Sequence, residues 1–109
     1  EYVKVSVRAV IVADARYEGR EWTVVQALKK WLQPFGDDAS SGWPFGKPVY
    51  KSDVYEIIHR VPGVIYIQDV WLMAEGKNAR LEESGDIRIP PNGLAISGEH
   101  DIEFVISHG

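Results

Sequence analysis

The run VIYIQDVWLMA, Val64 to Ala74, has no polar side. Rich in β-branched and aromatic residues, it reads as a long strand, and alternate side chains of a strand point to opposite faces. One face carries Val64, Tyr66, Val70 and Leu72, the other Ile65, Ile67, Trp71 and Met73. A single layer of helices covers one face of an antiparallel sheet, and the other face normally meets water through polar residues. Something beyond the helices must therefore cover this strand. Asp69 belongs to the second set, and an unpaired carboxylate under helices costs more than the Gln68 of the first. The Val64, Tyr66, Val70 and Leu72 set is accordingly expected against the helices. Ile65, Ile67, Trp71 and Met73 are left as a partner-facing surface.

The rest of the chain supplies those helices. In YVKVSVRAVIVA, Val3, Val5, Val7, Ala9 and Ile11 alternate with Lys4, Ser6 and Arg8, the period of a first strand with one buried face. Val24, Leu28, Trp31 or Leu32, and Phe35 recur at helical spacing, with Lys29 and Lys30 near the end and Pro34 as a stop, which predicts a helix over 18–33. Ser52 reads as the cap of a second helix that carries Val54, Ile57, Ile58 and Val61 and is supported by a Glu56–Arg60 pair. Val61-Pro62-Gly63 stops it. A Gly76-Lys77-Asn78 turn, a short strand over 86–89, a Pro90-Pro91-Asn92-Gly93 turn and a last strand over about 101–106 complete the order. Strand, helix, helix and three further strands describe an α+β fold, a two-layer sandwich with a mostly antiparallel sheet of three to four strands and two helices on one face.

Composition narrows the function. A chain of 109 residues with 45% apolar content supports one domain with one core. Its 12 basic and 16 acidic residues give a net charge of -4, and the cations are scattered, which argues against nucleic-acid or anionic-membrane partners. Cysteine is absent, so neither disulfides nor thiolate metal sites form. No apolar run approaches the roughly 20 residues of a bilayer span. The chain opens at Glu1 directly in a strand pattern, and is expected to be cut from a longer polypeptide.

Catalytic constellations are thin. Ser52, Asp53 and His59 hold the side chains of a triad, but Ser52 and His59 stand about 10 Å apart along one helix, out of hydrogen-bond reach. His59, His100 and His108 show no metal-ligand spacing, and Asp37-Asp38 lacks further calcium ligands. An enzyme would need Glu82 and Glu83 to meet His100 in a cleft, with no motif to suggest it. No catalytic residue, metal or cofactor is expected.

The loop SGWPFGKPVY, Ser41 to Tyr50, is harder to dismiss. Pro44 and Pro48 stiffen it, Gly46 permits a positive φ, and Trp43, Phe45 and Tyr50 give it unusual aromatic surface. Phe45 and Tyr50 are expected to fold back on Trp31, Leu32 or Tyr55, so that Phe45→Ala would cost about 3 kcal/mol. Trp43 is a candidate interface anchor.

Around this loop and on both sides of it the sequence resembles the C-terminal domain of baseplate assembly proteins related to the phage baseplate J family. The resemblance rests on Gly42-Trp43-Pro44-Phe45-Gly46, Val49-Tyr50, Ser52-Asp53-Val54-Tyr55 and Val61-Pro62-Gly63-Val64, with LKKWLQP before them and PPNGLAISGEH, Pro90 to His100, after. It covers nearly the whole chain. The Gly-Gly pair usual in that family before the tryptophan is replaced by Phe35-Gly36-Asp37-Asp38-Ala39-Ser40. The resemblance implies a structural role without catalysis or cofactor, in a baseplate wedge of a phage or prophage tail or a phage-derived contractile injection system. It further implies assembly in the cytoplasm and contacts with other baseplate or tail subunits, while the apolar strand face by itself also allows burial by a second copy of the chain. The competing expectation is a ligand- or peptide-binding module whose cleft lies under the loop 41–50.

Overall fold

In the computed structural model, which describes residues 2–33 and 45–108, the elements follow in the order β1 (Tyr2–Asp14), a 3-10 turn (Ala15–Tyr17), α1 (Glu21–Trp31), α2 (Lys51–His59), β2 (Val64–Glu75), β3 (Arg80–Leu81), β4 (Ile87–Arg88), β5 (Leu94–Ser97) and β6 (Asp101–Ser107). β1 is the central strand. β2 pairs antiparallel along one side of it, and β5 followed by β6 pair parallel along the other. The class is the expected α+β, with both helices on one face. The sheet itself is mixed rather than mostly antiparallel, because the chain returns from β2 through a β3–β4 ribbon before it lays β5 and β6 alongside β1.

Alternation along β1 builds the core. Val3, Val5, Val7, Ala9 and Ile11 are fully buried and meet Val24 and Leu28 of α1, Val54 and Ile58 of α2, and Val70 and Leu72 of β2. α2 lies over β2 and α1 over β6. The same core is closed by Val49, Ile87 and Ile89, where Val49 and Ile87 exchange backbone hydrogen bonds of 3.0 and 2.9 Å.

This closure overturns the expectation for the aromatic loop. Val49 is the residue that enters the core, while Phe45 is 67% exposed and Tyr50 43%. In extended backbone, neighbouring side chains take opposite sides, so pairing Val49 inward with Ile87 turns Tyr50 out. Gly46 donates its N–H to Gly93 O at 2.8 Å at a φ of 70°, which favours glycine, and a Cβ there would press on the Pro91 backbone at 3.2 Å. Gly42, Trp43 and Pro44 lie outside the described residues.

Helix ends differ from expectation in one instructive way. Ser52 is exposed and caps nothing; Tyr50 is the N-cap residue of α2 and offers no side-chain bond. Asp86, beside β4, instead accepts the Lys51 N–H through Oδ1 at 2.7 Å, and so brings a negative charge to the helix N-terminus from 35 residues away. α1 starts at Glu21 rather than Glu18, because Asp14 accepts the Arg16 N–H to form the 3-10 turn and Gly19 follows at φ 80°. The Glu56–Arg60 ion pair is present as expected. After α2, Gly63 stands at φ 92° with Val64 N–H donating to Val61 O at 3.3 Å, the residue pattern of a type II turn with proline then glycine at its centre. A Cβ on Gly63 would collide with the Tyr17 ring.

β2 departs from strict alternation. Its twelve residues Val64–Glu75 lie against ten of β1, Lys4 to Ala13, and Gln68 and Ile65 have no partner. Each is a bulge, and each inverts the parity of the residues beyond it. Val70 and Leu72 face the helices as expected, and Ala74 joins them, but past the first bulge Ile67 takes the inner face and Tyr66 turns out. Tyr66 is thus not a core residue, and Ile67 is not a surface one.

Truncation should separate the two sides of the closure. Val49→Ala is expected to cost about 2 kcal/mol, and Phe45→Ala below about 1 kcal/mol. Urea melts of the two variants check this, and a larger loss for Phe45 would return it to the core.

Candidate functional site

The outer face of the sheet is built by the residues of β1 that alternate with the core. Lys4, Ser6, Arg8, Val10 and Val12 point away from the helices, and the pairing places a row of three strands at each of them except Ser6, which is paired only with β2. Trp71, Arg8 and Asp101 form one row; Asp69, Val10 and Glu103 form the next; Tyr66, Val12 and Val105 form the third. Met73 stands beside Ser6 at the near end.

Large apolar residues are exposed on this face. Trp71, Met73, Tyr66 and Val105 on this face, with Ile65 in the second bulge, are all large apolar residues left between about two-fifths and one-half exposed. Val12, walled in by Tyr66 and Val105, is buried on what is nominally the solvent side. Of the expected partner-facing set, Ile65, Trp71 and Met73 are therefore on the surface, and Ile67 is packed against the core. Trp43 lies outside the described residues.

Electrostatics organise the face. The Arg8 guanidinium is 2.6 Å from Asp101 Oδ2 and 5.6 Å from the centre of the Trp71 ring, so one cation holds a carboxylate on one neighbour strand and an indole on the other. Asp69 and Glu103 flank Val10 without an ion pair, Asp69 taking only the Val70 N–H at 3.1 Å. The face thus carries an acidic row between two aromatic ones, and Arg8 is the clamp across the three strands of the first. Sequence alone marks neither Arg8 nor Val105 as a contributor to this face, and it assigns Tyr66 to the helix side. Arg8 sits on the polar phase of the first strand and was legible as outward; Tyr66 was hidden by the bulge.

Elsewhere the chemistry is sparse. Ser52 and His59 are exposed in the first and last turns of α2. Glu82 and Glu83 are exposed, and Glu82 is 3.5 Å from Arg88. His100 has both ring nitrogens engaged, with Val7 N–H and Ser97 Oγ. Among the described residues no cluster of three or more histidine, aspartate or glutamate side chains is placed to hold a metal ion, and no helix is long and apolar enough to cross a membrane. An open groove of about 640 Å³ runs between α1 and α2, with Ala27, Trp31, Ile57 and Val61 along it and Lys30 and Arg60 at its sides; neither Phe45 nor Tyr50 lines it. In comparisons with known proteins, no family model matches the chain and no curated protein matches it.

Adjacent residues on opposite faces should respond differently to truncation. Leu72→Ala is expected to lose about 3 kcal/mol and Met73→Ala about 1 kcal/mol or less. A double-mutant cycle on Arg8 and Asp101 should give a coupling of about 0.5 kcal/mol that weakens in high salt. Chemical denaturation of the variants checks both, and equal losses at positions 72 and 73 would contradict the two-faced strand.

Proposed function

We propose that this chain is a structural and assembly domain of a baseplate in a phage tail or phage-derived contractile injection system, and that it works through protein–protein contacts made by the outer face of its sheet. Support comes first from that face. It presents Trp71, Met73, Tyr66 and Val105 together, with the indole held in place by Arg8. Apolar residues grouped on a monomer surface mark interaction sites, and rigid aromatic anchors dominate the energetics of such contacts.

The contractile-tail assignment itself rests on the sequence resemblance. Its motif residues act here on the backbone: Gly46 joins the Gly93 turn, Gly63 makes room for Tyr17, and Ser97 and His100 bridge the end of β5 and the start of β6. Residues with such duties support a scaffold and leave the outer face free for contact. No cofactor or substrate enters the reading. Partners are other baseplate or tail subunits.

Deleting the encoding gene from its host should leave particles without assembled contractile tails in electron micrographs. The wild-type gene should restore tails, and a Trp71→Glu, Met73→Glu version whose product folds by circular dichroism should not. Normal tails without the gene would overturn the reading, and full rescue by the double variant would remove the outer face from it.

A further inference from the structure

The edge of the sheet opposite β2 contains a gap. β5 pairs with β1 as far as Val5 and β6 takes over at Arg8, so Gly98, Glu99 and His100 stand against Ser6 and Val7. Three residues against two leave the regular ladder broken there. Gly98 N–H donates to Val5 O at 2.8 Å, and a Cβ on Gly98 would collide with Ser6 Oγ, which pins the turn against β1. Among the described residues no main-chain carbonyl in this turn takes the Val7 N–H. His100 supplies the acceptor with its side chain, Nδ1 lying 3.0 Å from Val7 N.

That bond fixes the state of the ring. A backbone N–H only donates, so Nδ1 must carry its lone pair, the proton must sit on Nε2, and Nε2–H donates to Ser97 Oγ at 3.1 Å. The imidazole is a rung of the β-ladder in its neutral form alone. A second proton would go to Nδ1, the one atom that accepts from Val7, and would set two N–H groups against each other.

We propose that His100 is a proton-operated latch that holds β6 to β1, closed when the ring is neutral and released when it is protonated. The groups around it favour the closed form. Lys29 of α1 opposes a positive ring from the helix side. Of the adjacent carboxylates, Asp101 is tied to Arg8, and Glu99 is exposed beside Lys4, Ser6 and Glu75 on the outer-face hollow. β1 and β5 present Val7 and Ser97, neither of them charged. Burial first, and Lys29 second, push the pKa of His100 down from 6.5 to about 4. The unfolded chain therefore takes up this proton below about pH 6.5 while the folded chain resists it, so the stability that the neutral ring contributes is complete above pH 6.5 and is lost as pH falls toward 4. β6 begins next to this bond and pairs with β1 over seven positions, Asp101 to Ser107, so opening the latch loosens the end of β6 that carries Asp101 in the first outer row. The latch stands on its own geometry and does not depend on the assembly reading.

Amide exchange of Val7 followed by NMR tests it, in the wild type, His100→Asn and His100→Ala. Asparagine offers an acceptor oxygen near the position of Nδ1 and does not titrate. After correction for intrinsic exchange, opening at Val7 in the wild type should rise about twentyfold between pH 7 and pH 5. In His100→Asn it should stay level across that range, and in His100→Ala it should be raised at both pH values. Ring ¹⁵N shifts at pH 7 should report the Nε2–H tautomer. An acid response in His100→Asn equal to that of the wild type, or a His100 ring in the Nδ1–H tautomer, would overturn the proposal. Both readouts survive if His100→Ala fails to fold.

Discussion

Pairing on both sides of β1 is the constraint to which the other elements adjust. A strand with a partner on each edge cannot admit an additional residue without breaking two ladders at once, whereas an edge strand disturbs only one. The irregularities accordingly fall on the neighbours. β2 carries bulges at Gln68 and Ile65, and the opposite edge carries the break at 98–100. β1 itself runs unbroken for 13 residues. Its buried series, Val3 to Ile11, is what both helices and the Val49–Ile87 closure pack upon.

Bulges also explain how one sheet serves two purposes. By reversing parity beyond Gln68, β2 places Ile67 under the helices and sends Tyr66 to the outer face, beside Val12 and Val105. Without the reversal the helix side would receive a phenol needing a hydrogen-bond partner, and the outer face would lose an aromatic ring. Core and surface are therefore both products of the same two unpaired residues.

Most of the fold was legible where period alone decides it. The first strand, the two helices, the proline–glycine turns and the inward set of β1 follow from spacing, and Trp71 and Met73 are outward as alternation requires. What was not legible depends on residues distant in sequence. Asp86 displaces Ser52 as the partner of the α2 amides because β4 carries it there. Val49 displaces Phe45 and Tyr50 from the core because Ile87 pairs with it. Bulges leave no periodic trace in a run that is apolar on both parities, so Tyr66 and Ile67 could not be sorted from one strand. The short β3 and β5, two and four residues long, lack the length for any pattern to emerge. The candidate site was half visible for the same reason: its tryptophan and methionine announce themselves, while the acidic and arginine rows matter only once the strands are in register.

The parallel pairing of β6 with β1 has a consequence for how the chain comes into being. Val7 and His100 are 93 residues apart, and contacts of that span must wait for the intervening chain to be ordered, which places such topologies among the slow folders. On the ribosome, at roughly 5–20 residues per second, β1 emerges seconds before the strand that completes its far side. During that interval a long run of valines and isoleucine is without its second neighbour, though α1, α2 and β2 are already available to cover it. The antiparallel β1–β2 pair under its two helices is thus the natural early unit, and β5 and β6 dock after it onto an edge that has been kept open for them.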